Sequence, residues 1–160
     1  MTEKRAEVTV ILAKTKEEKD LGQSVRTQVL DKEMGFSVAS GIDDYDQICS
    51  YLLATLTTDE VTDLPVGSLR FFKYNPTLAK IGRVAVLKEH RKLGIGKKMI
   101  LFTENVIWTY PEFSEVKQIG LNSMYDKREF YLKLGYRVEG EMFLEEGSPH
   151  IFVVKDRPTN

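Results

Sequence analysis

The stretch Arg91-x-x-Gly94-x-Gly96 combines residue types that can hold an anion. A strand that includes Ile81 to Leu87 leads the backbone into it, and a helical pattern begins at its end. The first N–H groups of a helix lack partners within the helix, and the aligned peptide dipoles add positive potential there. Glycines let a phosphate approach that backbone closely. Arg91, Lys92, Lys97 and Lys98 add charge around the turn. Two other phosphate loops do not fit. The P-loop needs Ser or Thr after Gly-Lys, where this chain has Lys98, and the dinucleotide fingerprint needs a third glycine where Met99 stands. Glycines alone also suit a helix start that holds no ligand.

A second stretch, Leu121-Asn-Ser-Met-Tyr-Asp-Lys-Arg-Glu-Phe-Tyr131-Leu-Lys-Leu-Gly135-Tyr136, follows a later strand by one short loop. The two motifs, in this order and spacing, resemble the GNAT superfamily of acetyl-CoA-dependent N-acetyltransferases. Val25 to Gly35 is similar to the Arg-x-x-Val-Phe-x-x-Glu-Gln-Gly region of its ElaA/YjcF-like branch. Gly140 to Ile151 is similar to that branch's ending, Gly-Glu-x-Phe-x-Glu-x-Gly-Ile-Pro-His. Pro149-His150-Ile151 also resembles the ending of glyphosate N-acetyltransferase-like enzymes. The likeness covers nearly the whole chain and thins over residues 36–65. Met34 stands where the branch has Gln, and Asp59 to Leu64 has no clear counterpart.

The resemblance implies acetyl-CoA as co-substrate, no metal, and direct transfer of the acetyl group to a primary amine in a ternary complex. The acceptor would be a small amine, an amino sugar or amino acid, or a protein lysine. Val84, Ala85 and Val86 would pair with the pantetheine arm as an added strand does, through free N–H and C=O groups. Arg91, Lys92, Leu93, Gly94, Ile95, Gly96 and Lys97 would cradle the pyrophosphate. Asn122 would hydrogen-bond near the pantetheine or acetyl end, with Phe130 and Tyr131 packed along the arm. Tyr131 matches the acid that protonates the departing thiolate; its other reading is an aromatic packed beside its helix. His150 matches the base, work suited to an imidazole titrating near pH ~6.5, and its other reading is a structural histidine in the last hairpin. Arg26 and Arg83 match arginines that hold an anionic acceptor through the guanidinium fork. Arg26 reads equally well as a surface cation on the first helix. Glu33, Asp43, Asp44 and Asp46 could attract an amine, or could form a solvated acidic surface. His90 reads as a turn residue, and Cys49 and Trp108 read as core, Cys49 in mid-strand.

These residues need elements to position them. Val8 to Ala13 is β-branched and reads as a strand. Thr15 and Glu18 form a capping-box pattern for a helix that Gly35 ends. Ile48 to Leu56 is a second strand, after a loop from Phe36 to Gln47. Val66 to Lys73 and Lys80 to Leu87 flank an Asn75-Pro76 turn. A helix from about Ile95 to Tyr110 follows, stopped by Pro111. A strand at Val116 to Leu121, a short helix at Asp126 to Leu134, and strands at Tyr136 to Leu144 and Ile151 to Val154 complete the chain. The order β-α-β-β-β-α-β-α-β-β predicts an α/β (α+β) fold, a mixed and mostly antiparallel sheet flanked by helices. No linker interrupts it, so a single domain over 1–160 is expected.

Composition narrows the partners. Lys and Arg total 23 against 24 for Asp and Glu, a balance that disfavours nucleic acid or an anionic membrane as partner. One cysteine excludes an intramolecular disulfide framework and any multi-cysteine zinc site. No apolar run approaches the ~18 residues of a spanning helix, and the charged N-terminus does not read as a signal peptide. A cytoplasmic protein is expected, with passive entry to the nucleus open, and the resemblance makes a homodimer plausible. A non-catalytic acyl-CoA-binding or sensor module is the alternative from another class; Tyr131 and His150 favour the enzyme. Gly94→Asp would set a carboxylate where the pyrophosphate approaches. Calorimetry is expected to show CoA binding weakened at least about tenfold. Unchanged affinity would remove this loop from the cofactor site.

Overall fold

Local signals build the first elements. A computed structural model describes residues 5–36 and 43–159. Strand β1 (Ala6–Leu12) pairs antiparallel with β2 (Ser50–Thr58), Ala6 opposite Thr58 and Leu12 opposite Leu52. Helix α1 (Lys16–Arg26) starts at the expected capping box. Thr15 Oγ1 accepts from the Glu18 N–H at 3.1 Å, and Glu18 Oε1 accepts from the Thr15 and Lys14 N–H groups at 3.0 and 2.9 Å. The helix then widens into a π-helical segment, Thr27–Glu33, and Gly35 ends it at φ 78°. The expected extent is right; the change of winding has no local signature.

The chain divides into two compact units, residues 1–70 with 83–103 and residues 71–82 with 104–160. The division falls within β3 (Leu64–Asn75) and β4 (Leu78–Val86). In the first unit Val25, Val29, Leu30 and Ala85 form a buried cluster on which Met34, Phe36 and Leu87 pack. Helix α2 (Ile95–Thr109) enters this unit through Ile95, Met99 and Ile100, all fully buried. Gly67 on β3 makes that approach possible. A Cβ there would lie 2.9 Å from Met99 Sδ, 3.1 Å from Ile95 Cγ2 and 3.2 Å from Ala54 Cβ.

In the second unit Asn75 Oδ1 closes the β3–β4 turn by accepting from the N–H groups of Thr77 and Leu78. Strand β5 (Gln118–Met124) runs parallel to β4 and antiparallel to the last strand. Helix α3 (Arg128–Lys133) follows a 3₁₀ turn at Tyr125–Lys127. The expected strand Tyr136 to Leu144 is two pieces, β6 (Arg137–Val138) and β7 (Phe143–Glu145), with Gly140 at φ 89° between them. Both pair antiparallel with β8 (Ser148–Asp156). A buried carboxylate, Glu104, accepts from the Tyr136 hydroxyl and from Lys155 Nζ, each at 2.9 Å. Arg157 stacks on Trp108 and donates to the Trp108, Phe113 and Val116 carbonyls.

The strand order is β1-β2-β3-β4-β5-β8-β6, with β7 on β8. This is the mixed, mostly antiparallel sheet with helices that the sequence predicts. Cys49 departs from expectation: it lies just before β2 and is half-buried. Gly67→Val should overpack the α2 contact and cost about 1–3 kcal/mol. The expected readout is a lower thermal midpoint; an unchanged one would show that Ile95 and Met99 have room to move.

Candidate active site

In the first unit β4 ends at Val86 and the chain makes a short 3₁₀ turn, Lys88–Leu93, before α2. Gly94 joins them in the left-handed conformation, φ 71° and ψ 20°, and accepts from the Lys98 N–H at 3.1 Å. The N–H groups of Ile95, Gly96 and Lys97 therefore belong to the first helical turn, where helix geometry supplies no acceptor. A Cβ at Gly94 would meet nothing within 4 Å, so a ligand can approach the backbone. The Ile95 side chain is committed to the core, which leaves only its backbone for a ligand. Lys92 and Lys97 are exposed, whereas Lys98 Nζ donates to the Val8 carbonyl at 2.7 Å. Arg91 does not point outward as a bare cation. Its fork closes on Glu33 at 2.6 and 2.7 Å, and its Nε donates to the Val86 carbonyl at 3.0 Å.

Val84, Ala85 and Val86 follow a backbone irregularity. Arg83 has φ 52°, an uncommon conformation for a residue with a side chain. Such residues interrupt a strand and re-aim the N–H and C=O groups beside them, and they concentrate at functional sites.

The expected acceptor-side residues of this unit are engaged with one another. Arg26 is 3% exposed, which corrects its reading as a surface cation. It donates to Ser68 Oγ at 2.6 Å and to Gln23 Oε1 at 2.7 Å, and its guanidinium lies 4.7 Å from the centre of the Tyr51 ring. Its Nε has no hydrogen-bond partner among the described residues. Burial lowers its pKa to about 10. Arg83 pairs with Asp43 at 3.3 Å and with Asp46 at 3.6 Å. Asp43 and Asp46 also hold Arg70, at 2.8 and 3.1 Å from its Nη1, so they are not a solvated acidic surface. Asp44 is exposed, as that reading expects. The sequence reading missed Arg70, whose signal is a lone charge inside the apolar run Leu69-Arg70-Phe71-Phe72. Burial pushes the neighbouring Cys49 thiol up to about 11, so it stays protonated near neutrality and does not act as a nucleophile there.

The second unit carries the proton-transfer candidates. The His150 ring is buried, and its Nδ1 lies 2.8 Å from the Ser148 carbonyl. A carbonyl only accepts, so Nδ1 carries the proton and Nε2 presents the lone pair. Nε2 lies 3.5 Å from Glu145 Oε2, and Asn122 Nδ2 donates to Glu145 Oε1 at 3.1 Å. Phe143 stacks on the imidazole at 6.2 Å. Asn122 thus belongs to one cluster with His150, through a carboxylate the sequence reading did not single out. The hairpin could have revealed it: Phe143 pairs with His150 and Glu145 with Ser148, which puts Glu145 on the same face, diagonal to the histidine. Tyr131 is buried, with Phe130 edge-on at 5.0 Å, and burial raises its phenol well above the usual range. It stays protonated near neutrality, as a proton donor must.

A family model described as an acetyltransferase (GNAT) domain matches residues 29–138. The chain belongs to the GNAT family. It is by that membership an acyltransferase. The chain is 28% identical to the N-acetyltransferase YjcF of Bacillus subtilis over 147 residues, 91% of this chain and 98% of that protein. The crystal structure of Escherichia coli ElaA superposes with TM-score 0.75 at 21% identity, covering 95% of this chain and 100% of that one. A GNAT acetyltransferase of Elizabethkingia anophelis with acetyl-CoA bound superposes with TM-score 0.60 at 18% identity, covering 93% and 97%. At such identities the structural likeness establishes the GNAT fold. No cluster of three or more His, Cys, Asp or Glu side chains suited to a metal is found among the described residues, and no described helix is long and apolar enough to cross a membrane.

The Asp43 carboxyl of this GNAT chain carries a testable pH signature. Hydrogen bonds from Arg70 hold its pKa down at about 2. A depressed carboxylate adds stability above its unfolded pKa of ~3.9 and loses it as pH falls toward the folded value. The Asp43 side chain is 37% exposed, so solvent screening reduces the contribution to about 1 kcal/mol. Thermal midpoints of wild type and Asp43→Asn should differ by about 2–4 °C above pH ~4.5 and converge towards pH ~2. A constant difference across that window would assign the loss to packing.

Proposed function

We propose that this GNAT enzyme transfers an acetyl group from acetyl-CoA to a primary amine by direct attack in a ternary complex. The observation that carries the reading is Gly94: a left-handed residue between β4 and α2, with open space where a side chain would stand. Free first-turn N–H groups and the exposed Lys92 and Lys97 suit the CoA pyrophosphate. Acetyl-CoA supplies an activated thioester carbonyl. The N–H groups of Val84 to Val86, set by the turn at Arg83, hold the pantetheine arm and the developing oxyanion. Tyr131 gives its proton to the departing thiolate, with Phe130 packed on the arm. His150 Nε2 takes the proton that the amine must lose. The Ser148 carbonyl holds the ring through Nδ1, and Glu145, fixed by Asn122, faces the imidazolium that forms. We read residues 1–160 as a single acetyltransferase domain and place it in the cytosol.

The acceptor is a small amine, an amino sugar or amino acid, or a protein lysine. Arg70 and Arg83 pair with Asp43 and Asp46, while Arg26 is held by the neutral groups of Ser68, Gln23 and the Tyr51 ring. The buried Nε of Arg26, which has no hydrogen-bond partner among the described residues, supports an acceptor with an anionic group beside its amine.

Thiol release from acetyl-CoA across a panel of amines tests the reading. With one responsive amine, Tyr131→Phe should keep CoA affinity and lower turnover by about 10²-fold. His150→Ala should lose about 10²–10⁴-fold and the ionisation on the acid side of the pH–rate profile. No amine-dependent release would refute transfer, and a profile unaltered in His150→Ala would assign that histidine to structure.

A further inference from the structure

Arg91 joins three parts of the first unit at one guanidinium. Its Nη1 and Nη2 donate to Glu33 Oε2 and Oε1, and its Nε donates to the carbonyl of Val86. Glu33 is the last residue of the π-helical segment, Val86 is the last of β4, and Arg91 lies in the turn that delivers the chain to Gly94. A guanidinium has five donors in a rigid plane, and a bidentate carboxylate fixes that plane in orientation as well as in distance. The same carboxylate cancels the charge, so the pair as a whole attracts a phosphate only weakly.

We propose that Glu33 and Arg91 are positioning residues of the cofactor loop. Glu33 locks Arg91 as a bracket that sets the turn at residues 88–94. The pyrophosphate is held by the first-turn backbone N–H groups with Lys92 and Lys97, and not by the charge of Arg91. The inference rests on the reading that Gly94 to Lys97 binds the pyrophosphate. It moves Glu33 from the acceptor side, where the sequence put it, to the cofactor side. A turn fixed before binding lowers the ordering cost that the ligand must otherwise meet.

Calorimetry with CoA tests this on wild type, Glu33→Gln, Arg91→Ala, Arg91→Lys, Lys97→Ala and the double variant E33Q/R91A. Glu33→Gln and Arg91→Ala should each weaken CoA about three- to tenfold, and the double variant should be no weaker than Arg91→Ala, because the residues act as a unit. Arg91→Lys keeps the charge without the fork and should fare no better than Arg91→Ala. The salt dependence of CoA binding should be unchanged in Arg91→Ala and flatter in Lys97→Ala. Pantetheine, which lacks the pyrophosphate, should bind every variant alike. Tighter CoA binding by Glu33→Gln, or full affinity in Arg91→Lys, would overturn the bracket and make Arg91 a phosphate ligand that Glu33 opposes. Thermal melts establish that each variant folds; should Glu33→Gln not fold, Arg91→Lys decides alone. CoA binding unaltered by Gly94→Asp would instead refute the loop as the pyrophosphate site, an outcome separate from those of the Glu33 and Arg91 variants.

Discussion

Backbone N–H groups bind an anion well only when they are in place before it arrives, because fixing a residue's backbone costs about 1–2 kcal/mol. In the first unit a steric fact meets that requirement. Gly67 has no side chain, so Ile95, Met99 and Ala54 close over the backbone of β3 at distances that a Cβ would not tolerate. Ile95 is the first residue of α2, and its burial anchors that end of the helix. Lys98, in the same turn, is tied to the Val8 carbonyl of β1. With the helix start fixed from both sides, Gly94 bends the incoming chain through a left-handed conformation that L-residues with side chains adopt only at a cost.

The same unit buries an unusual amount of charge. Arg26 and Arg70 are both nearly inaccessible, and a buried guanidinium is tolerated only with partners. Asp43 and Asp46 supply them for Arg70 and Arg83, while Arg26 relies on Ser68, Gln23 and the face of Tyr51. Such a network adds little net stability over apolar packing, yet removal of one member leaves an uncompensated charge. Its contribution is therefore to geometry. It fixes the Arg83 side chain at the residue whose backbone departs from the strand, so the irregularity in β4 is held by the cluster around it.

The features legible in the sequence are the ones whose causes are local. Thr15 with Glu18, Gly35, Asn75, Gly94 and Pro111 each act within a few residues, and each element boundary they signal is present. The unread features depend on residues far apart in the chain. Arg70 meets Asp43 across 27 positions, Arg83 meets Asp43 across 40, and Arg91 meets Glu33 across 58. No periodicity or spacing encodes such a pairing, which is why Glu33 and Asp43 could be recognised as charged but not matched to their partners. The π-helical segment and the left-handed Arg83 are also set by tertiary context, since neither residue type prefers those conformations. Glu145 lies between these cases. A hairpin register would have exposed it, but reading Tyr136 to Leu144 as one strand hid where that hairpin begins.

The second unit gives its candidate acid and base different surroundings by simple means. The Ser148 carbonyl cannot donate, so it fixes which imidazole nitrogen of His150 bears hydrogen and leaves the other as the basic one. A proton arriving at Nε2 meets Glu145, a carboxylate steadied by Asn122 and itself half exposed to water. That places a route to solvent beside a ring that is otherwise enclosed. Burial raises the Tyr131 phenol further above neutrality, so it keeps its proton. An enclosed phenol that retains its proton and an enclosed imidazole whose tautomer is fixed are complementary in direction. One can give a proton and the other can take one, and burial, a carbonyl and a carboxylate suffice to arrange it.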